Sequence, residues 1–408
     1  MSNEKSGSGR SMAIVAFFTL FMAVMTLNLI VFPACALTTM EVFGVDQTAL
    51  TTLTSVTSVV GVFGGIIFGR MLDVKDVKKS ITLYMAIGVV LFFVRAFIDS
   101  YVPVIVLTFL ASLCVGICQI AGPKVIPTWF PPEKVGTAMS FLNAGAGIGS
   151  ALGFAVGGIL GIKNALLLVG VLYLLLLILW IAIGGEGPYK MEMPPMPDGE
   201  KSGSRPVYKS KNLWMIIIAF SMAVTSSQIV NSYMINAFVG KGLSPAGASA
   251  MGTVLNLSLL FGGFIMTAVL NSYKRFNPLL AVAMIGSAIL ILAGWFLPIG
   301  TITWVCVVLG GLFFGGSLGL CAGRIPLLPM TGDFGPESIG AASGFNETIK
   351  GIIAFVLPIL VANALGTNFN GIFIVFAVCC VICTICGSVM VPELGEKGKL
   401  FQEMQKKG

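Results

Sequence analysis

The sequence contains no histidine and few charged residues. Of its 408 residues, 10% are charged and 56% are hydrophobic. Soluble domains carry about 25% charged residues, because a water-facing surface has to be solvated. The shortage of charge therefore excludes an ordinary soluble protein. The missing histidine excludes triads, metal sites and proton relays that depend on imidazole. A mean hydropathy of +0.98 is typical of an integral membrane protein.

The arrangement of the charged residues and of the cysteines excludes further classes of protein. The net charge of +7 is scattered over loops and tails, which argues against nucleic-acid binding. No G-x-x-x-x-G-K-[ST] sequence that would hold ATP phosphates is present, so ATP does not drive the expected function. Cys380, Cys383 and Cys386 have cluster-like spacing, but a metal cluster needs a loop that wraps it, and these lie in an apolar run. We expect no enzyme activity, no cofactor and no metal site.

Apolar runs long enough to cross a bilayer occur twelve times along the chain. A transmembrane helix needs about 20 mostly apolar residues to cross roughly 30 Å of hydrocarbon. The predicted spans, numbered 1 to 12 in chain order, are 12–34, 48–69, 80–98, 102–125, 136–160, 164–184, 213–238, 245–269, 278–297, 302–325, 338–364 and 368–391. The sequence therefore predicts an all-α integral membrane protein with twelve transmembrane helices.

The basic residues and one hydrophilic stretch predict the orientation and the division of the chain. With both termini in the cytoplasm, most of the 24 Lys and Arg residues fall in cytoplasmic segments. The long stretch after span 6 is rich in Pro, Gly and charge, as linkers are. We expect an N-terminal six-helix half over 1–185, a cytoplasmic linker over 186–212 and a C-terminal six-helix half over 213–408. The protein would be a multi-pass component of the cell membrane, either plasma or inner membrane.

The two halves share a short segment at the start of the fifth span of each half. Residues 130–141 read Phe-Pro-Pro-Glu-Lys-Val-Gly-Thr-Ala-Met-Ser-Phe, and residues 334–345 read Phe-Gly-Pro-Glu-Ser-Ile-Gly-Ala-Ala-Ser-Gly-Phe. Both Phe residues, one Pro, the Glu, the Gly and one Ala coincide. Two parallel halves of six spans resemble the architecture of the major facilitator superfamily.

The segment between spans 2 and 3 adds to this resemblance. It has Gly69, then Asp73 four residues later, then basic residues that include Lys79. This resembles the superfamily signature in that loop, although Val74 and Asp76 stand where the signature has a basic residue and a glycine. The resemblance implies that Asp73, with Gly69 and Lys79, acts in gating by closing the inner side. The lysines could instead be ordinary positive-inside residues.

Five charged residues are predicted within spans, where each costs at least about 2.5–3.5 kcal/mol on insertion. Lys350 lies near the middle of span 11, and Glu347 precedes it by three residues, on the same helix face. They could form a self-neutralised structural pair. Alternatively, Lys350 exchanges its partner for a substrate carboxylate, while Glu347 keeps the empty site neutral or carries a proton. The other three, Arg95, Lys124 and Arg324, lie nearer span ends and could reach the interface or act in function.

Polar side chains occur on several spans that would line a central cavity. In the superfamily architecture, as the resemblance implies, spans 1, 4, 7 and 10 line that cavity. Besides Lys350 and Glu347, the candidate substrate-binding residues are Asn28 in span 1, Gln119 in span 4, Asn143 in span 5, and Gln228 and Asn231 in span 7. Each of these could instead hold neighbouring helices together by hydrogen bonds.

Two short stretches resemble a narrower family. Residues 344–350 read Gly-Phe-Asn-Glu-Thr-Ile-Lys, and residues 129–138 contain Trp-Phe-Pro and then Gly-Thr-Ala. Both are similar to the oxalate/formate antiporter family, which has a substrate-binding lysine at this point of span 11. That family's dicarboxylate carriers also use an arginine in span 8, where this chain has Asn256 and no charge. A single midplane cation favours a monocarboxylate or another small monoanion over oxalate.

The sequence thus predicts a secondary transporter of small organic anions that works by alternating access, as proton symport or anion exchange. Its expected partners are a small anionic substrate, protons in the case of symport, and the lipid bilayer, but no nucleic acid. We expect a monomer. The alternative is a proton-coupled exporter of lipophilic drugs with Glu347 as its acid, although Lys350 would repel a cationic drug. A transporter-like sensor that binds without transport is a third interpretation.

Overall fold

The computed structural model describes residues 2–59, 63, 68, 71–72, 75–130, 132–185, 187, 207–335, 338–395 and 397–398. Within these residues, every regular element is helical. The chain divides into two compact units, Met1–Pro197 and Asp198–Gly408, and the division falls inside the stretch predicted as the linker.

Each unit is a bundle of α-helices. The N-terminal unit contains Ser2–Ala34, Ala36–Phe43, Gln47–Ser55, Val77–Ala96, Tyr101–Val115, Ile117–Val125 and Pro132–Ile183. The C-terminal unit contains Lys211–Gly240, Pro245–Tyr273, Asn277–Phe296, Thr301–Ala322, Ile339–Leu365 and Phe369–Thr384, the last continued by the π-helical residues Ile385–Val389. Among the described residues, ten helices are long and apolar enough to cross a membrane.

The helix Pro132–Ile183 holds two predicted spans, which meet at Gly161. The backbone of Gly161 has φ 66° and ψ 168°, a conformation that residues with a Cβ rarely adopt. After this residue the chain turns back, as the packing of Trp180 on Phe17 shows. Trp180 lies near the end of span 6 and Phe17 near the start of span 1, and their ring centroids are 4.9 Å apart. The sequence placed the end of span 5 at residue 160, and the structure confirms that boundary.

Span 5 packs backbone to backbone against span 1 through a face of glycines. A Cβ on Gly145 would overlap the carbonyl oxygen of Thr19, and a Cβ on Gly157 would overlap Ala34. Because the contacts follow the same order along both helices, spans 1 and 5 run parallel. Small residues permit this close approach in a membrane, where lipid removes the hydrophobic drive for helices to associate.

The second half of span 2 lies largely outside the described residues. Gln47–Ser55 is α-helical and Val56–Val59 continues it as a 3-10 turn. Of the residues from 60 to 70, the structure describes only 63 and 68. The ten membrane-crossing helices therefore account for eleven of the twelve predicted spans, since one of them contains spans 5 and 6.

Each unit has its own core of packed aromatic rings. In the N-terminal unit, Phe92 stacks on Tyr173 with ring centroids 4.6 Å apart. In the C-terminal unit, Trp295 stacks on Phe373 at 4.5 Å. Ring pairs of this kind hold helices of different spans in a fixed register, because offset stacking has a defined geometry.

Candidate functional site

Lys350 and Glu347 form an ion pair near the middle of the span 11 helix, Ile339–Leu365. The Lys350 Nζ lies 2.6 Å from Glu347 Oε1 and 2.6 Å from Oε2. The lysine side chain is 17% exposed and the glutamate side chain 51% exposed. The structure confirms the ion pair that the i,i+3 spacing predicted. Of its two side chains, that of Lys350 is the more buried and that of Glu347 is the more exposed.

A ring and an amide complete the surroundings of this pair within the C-terminal unit. The Lys350 Nζ lies 4.4 Å from the ring centroid of Phe220 in span 7, a cation–π contact. The Asn346 Nδ2 donates a hydrogen bond of 3.2 Å to Glu347 Oε1. Asn346 is buried, and its Oδ1 has no hydrogen-bond partner among the described residues. The cation is therefore held between a carboxylate and an aromatic face, with a further polar group beside it.

Asn231 is buried between spans 7 and 8. Its Oδ1 accepts a hydrogen bond of 2.9 Å from Asn256 Nδ2, and its own Nδ2 donates to the Ser227 carbonyl oxygen at 2.9 Å. Both asparagines are less than 7% exposed. The sequence left substrate binding and helix packing open for Asn231, and these contacts support packing.

Asn28 belongs to a buried polar cluster in the N-terminal unit. Its Oδ1 accepts a hydrogen bond of 2.6 Å from Arg95 Nη2, and its Nδ2 donates to Ser112 Oγ at 3.4 Å. A second arginine nitrogen, Nη1, donates to Thr108 Oγ1 at 3.1 Å. Arg95 is completely buried, so the idea that it reaches the membrane interface is wrong. The side chain folds back into the bundle because three helices supply acceptors and rings for it.

The remaining binding candidates are less informative. Gln119 and Gln228 are both half-buried. Asn143 lies in the helix Pro132–Ile183, but its side chain is outside the part of the chain that the structure describes.

Of the predicted gating residues, the structure describes one. Gly69 and Asp73 lie outside the described residues. Lys79 is exposed in the first turn of the helix Val77–Ala96, and its backbone N–H donates to Asp76 Oδ1 at 2.8 Å. Asp76 thus caps the start of the span 3 helix, which explains an acidic residue among the lysines of this segment.

The other two cations near span ends differ from each other. Lys124 is exposed, and its Nζ donates to the Leu72 carbonyl oxygen at 2.5 Å. Arg324 is 1% exposed, its Nη1 donates to the Gly387 carbonyl oxygen, and its guanidinium lies 5.5 Å from the Phe276 ring. The interface explanation is therefore wrong for Arg324 as well, since its side chain points into the C-terminal unit.

The C-terminal unit also contains a small apolar cleft. Val230, Met234 and Phe238 of span 7 line it together with Leu255 and Phe373. No charged side chain lines this cleft, so it does not provide a counter-charge for an anion.

A family comparison matches most of the chain. The family described as Major Facilitator Superfamily matches residues 12–358. A stretch of 120 residues is 30% identical to the nitrate/nitrite transporter NrtP of Picosynechococcus sp.. That stretch covers 29% of this chain and only 22% of that transporter.

Solved structures resemble the chain over nearly its whole length. The inward open conformation of the xylose transporter XylE from E. coli has a TM-score of 0.76 and 14% identity, covering 97% of this chain and 99% of that one. A bacterial homolog to the human lysosomal transporter Spinster has a TM-score of 0.73 and 14% identity, covering 93% and 95%. At these identities the likeness establishes the fold alone. It confirms the predicted all-α membrane fold with twelve transmembrane helices in two six-helix halves.

Proposed function

Because the chain belongs to the Major Facilitator Superfamily, we propose that it is a secondary active transporter of small monoanions, chiefly monocarboxylates. Lys350 binds the anionic end of the substrate. The observation that carries the proposal is the carboxylate already at Lys350, with both Glu347 oxygens 2.6 Å from Nζ. A substrate carboxylate offers the same two oxygens and the same single charge, so it fits the place that Glu347 vacates.

Charge balance supports a monoanion. A lysine near the bilayer midplane is costly without a partner, and Glu347 supplies one in the empty carrier. Replacing the Glu347 carboxylate by one substrate carboxylate keeps Lys350 paired one to one. Glu347 is half exposed, so it can turn toward water when the substrate arrives, whereas Lys350 is mostly buried and stays in place. A dianion would leave an uncompensated negative charge, since Asn256 gives span 8 no second cation.

The comparisons add a second kind of monoanion to this class. The relative matched over 120 residues is named a nitrate/nitrite transporter, and both of those ions carry one negative charge. The stretches that resemble the oxalate/formate antiporter family favour a carboxylate. The shared feature is a small, singly charged anion, so nitrate belongs among the competitors to be tested.

The proposal includes coupling, gating and topology. Transport proceeds by alternating access, either as anion exchange, with Glu347 as a resident counter-charge, or as proton symport, with Glu347 as the proton carrier. Gly69, Asp73 and Lys79 take part in closing the inner side. The protein is a monomer in the cell membrane, and both of its termini are cytoplasmic.

The test is uptake by the full-length protein reconstituted in liposomes. The liposomes are loaded with formate, acetate or lactate, and uptake of the labelled acid is followed with and without an imposed pH gradient. Uptake that requires internal anion and ignores pH indicates exchange. Uptake driven by an inward proton gradient indicates symport through Glu347.

The decisive variant is Lys350→Gln, which keeps a polar side chain only one atom shorter and removes its charge. We expect uptake to fall about 100-fold, because a desolvated charge pair with the substrate is lost. The matched control is Lys163→Gln, since Lys163 is an exposed lysine paired with Asp99. Wild-type uptake by properly inserted Lys350→Gln protein would overturn the proposal. If the wild-type protein carries no small anion, a susceptibility panel tests the drug-export alternative.

A further inference from the structure

Asn346 is a buried amide beside the ion pair of the C-terminal unit. It lies in the span 11 helix, next to Glu347 in the chain, and is 1% exposed. Its Nδ2 donates a hydrogen bond of 3.2 Å to Glu347 Oε1. An ionised carboxylate only accepts hydrogen bonds, so the nitrogen must be the amide atom that faces Glu347. The partner therefore fixes the orientation of this amide.

The amide oxygen of Asn346 has no hydrogen-bond partner among the described residues. A buried acceptor without a donor destabilises a protein, and nearly all such groups are satisfied by protein, water or a ligand. Both amide atoms are bonded to one carbon, so Oδ1 lies about 2.3 Å from the nitrogen that donates to Glu347. The unsatisfied acceptor is thus next to the carboxylate whose place the substrate takes. A ligand that satisfies it needs a hydrogen-bond donor beside its own carboxylate.

A substrate can reach this acceptor because Glu347 is accessible. The Glu347 side chain is 51% exposed. Lys350 directs its donors elsewhere, since its Nζ lies 2.6 Å from each Glu347 oxygen and 4.4 Å from the Phe220 ring centroid. A carboxylate that replaces Glu347 therefore meets the Lys350 ammonium and the Asn346 N–H with its oxygens. The group on its α-carbon then lies beside Asn346 Oδ1.

We propose that the substrates are 2-hydroxy monocarboxylates, with Asn346 as the residue that recognises the hydroxyl. In such an acid the hydroxyl and the carboxylate are on adjacent carbons, so a donor and an acceptor are neighbours, as they are in the amide. The carboxylate oxygen accepts from Nδ2 and the hydroxyl donates to Oδ1, which satisfies both ends of the amide at once. This inference rests on the proposed function and narrows its substrate class.

The same pairing disfavours three close analogues of the 2-hydroxy acid lactate. Propionate lacks the hydroxyl, so it leaves Oδ1 of Asn346 unsatisfied. Pyruvate places a carbonyl oxygen at this position, where two acceptors then face each other. Alanine places an ammonium there, close to the ammonium of Lys350, and like charges repel. We therefore expect lactate to bind more tightly than all three.

The first test uses the wild-type protein reconstituted in liposomes. Uptake of labelled lactate is inhibited by unlabelled L-lactate, D-lactate, propionate, pyruvate or alanine. We expect the inhibition constant of the better lactate enantiomer to be at least about tenfold lower than those of the three analogues, because each analogue leaves a buried acceptor unpaired or opposed. Propionate, pyruvate or alanine that inhibits as well as lactate would overturn the inference.

The second test is Asn346→Leu, which replaces the two amide atoms by methyl groups. A leucine, Leu142, is buried at the corresponding position of span 5. We expect the preference for lactate over propionate to fall to within about twofold of unity, because the hydroxyl loses its acceptor while both acids lose the same N–H donor.

Asn363→Leu is the matched control for this variant. Asn363 is exposed further along the same helix, and its Nδ2 donates to the Ile359 carbonyl oxygen at 3.0 Å. This variant should keep the wild-type preference. If Asn346 were merely structural, Asn346→Leu would lower the uptake of both acids and leave the preference unchanged, and that result would overturn the inference.

The proposed function and this inference fail in different ways. The proposed function fails if Lys350→Gln retains wild-type uptake, or if the wild-type protein carries no small anion. Anion uptake that depends on Lys350 but shows no preference for the hydroxyl overturns the inference alone. If Asn346→Leu does not fold, the wild-type comparison of lactate with propionate and pyruvate is decisive by itself.

Discussion

The repeated segments lead into spans 5 and 11, two corresponding helices that differ in how they pack and in the charged residues they carry. Continuing the alignment of residues 130–141 with 334–345, Gly149 and Gly153 of span 5 correspond to Ile353 and Leu357 of span 11. The glycines are buried against span 1, whereas their aliphatic counterparts are half-buried. The face that lets two backbones touch in one unit corresponds to bulky side chains in the other.

The same alignment places the charged pair in only one of the two helices. Glu347 corresponds to Asn143, and Lys350 corresponds to Ala146. Backbone contact fixes span 5 to span 1, so it is suited to act as scaffold. Span 11 lacks that face and carries the ion pair of Lys350 and Glu347, so the two corresponding helices differ in that one provides close packing and the other provides charge.

The largest effect should come from filling the glycine face. In Gly149→Leu the new Cβ would overlap the Ala23 carbonyl oxygen, which is backbone and cannot rotate away. We expect a loss of at least about 3 kcal/mol of stability and little monodisperse protein after detergent extraction, measured by size-exclusion chromatography and thermal unfolding. The volume-conserving change at the corresponding position, Ile353→Leu, should cost less than about 1.5 kcal/mol. Equal yields and unfolding temperatures for both variants would remove the contrast between spans 5 and 11.

A smaller effect should follow from removing the competitor of the substrate at Lys350. Glu347→Gln keeps the shape of the side chain but no longer offers a carboxylate to the lysine. We expect KM for a labelled monocarboxylate to fall by up to about fivefold, since a partly exposed ion pair contributes at most about 1 kcal/mol. Glu41→Gln, at an exposed position in the N-terminal unit, is the control. If KM rises in Glu347→Gln, the carboxylate assists the substrate and does not compete with it.

The smallest effect should come from a hydrogen bond of span 7. In the C-terminal unit this helix does not pack against span 11 through a face of glycines. The hydrogen bond of 2.9 Å between Asn256 and Asn231 joins spans 7 and 8. A double-mutant cycle with Asn231→Ala and Asn256→Ala should give a coupling free energy of about 0.6 kcal/mol in unfolding measurements. A coupling near zero, together with lost uptake in Asn231→Ala alone, would return Asn231 to the substrate site.

Local patterns in the sequence were sufficient for much of the fold and for one ion pair. Apolar length predicts the spans, because bilayer thickness fixes how many residues a helix needs. The pairing of Glu347 and Lys350 is predictable because positions three apart on a helix are neighbours whatever surrounds them. The glycines of span 5 recur on one face, so their packing role is visible in the sequence too.

Contacts between distant spans could not be predicted in the same way. Arg95 lies near a helix end, which in sequence indicates an interfacial side chain. Its real partners, Asn28 and Thr108, lie on spans 1 and 4, and only the packing of three helices brings them together. The bond between Asn231 and Asn256 has the same character, because it depends on the rotation of span 7 about its axis.

Gly161 has a consequence for how the growing chain is threaded into the bilayer. The stretch Ala144–Ile183 has 40 apolar-rich residues and would be a rod about 60 Å long if it were straight, twice the hydrocarbon thickness. One residue with φ 66° folds that rod into a hairpin, and the turn is marked in the sequence only by Lys163 and Asn164. The parity of every later crossing, and so the side of the membrane on which each following loop emerges, depends on the reversal at this single glycine.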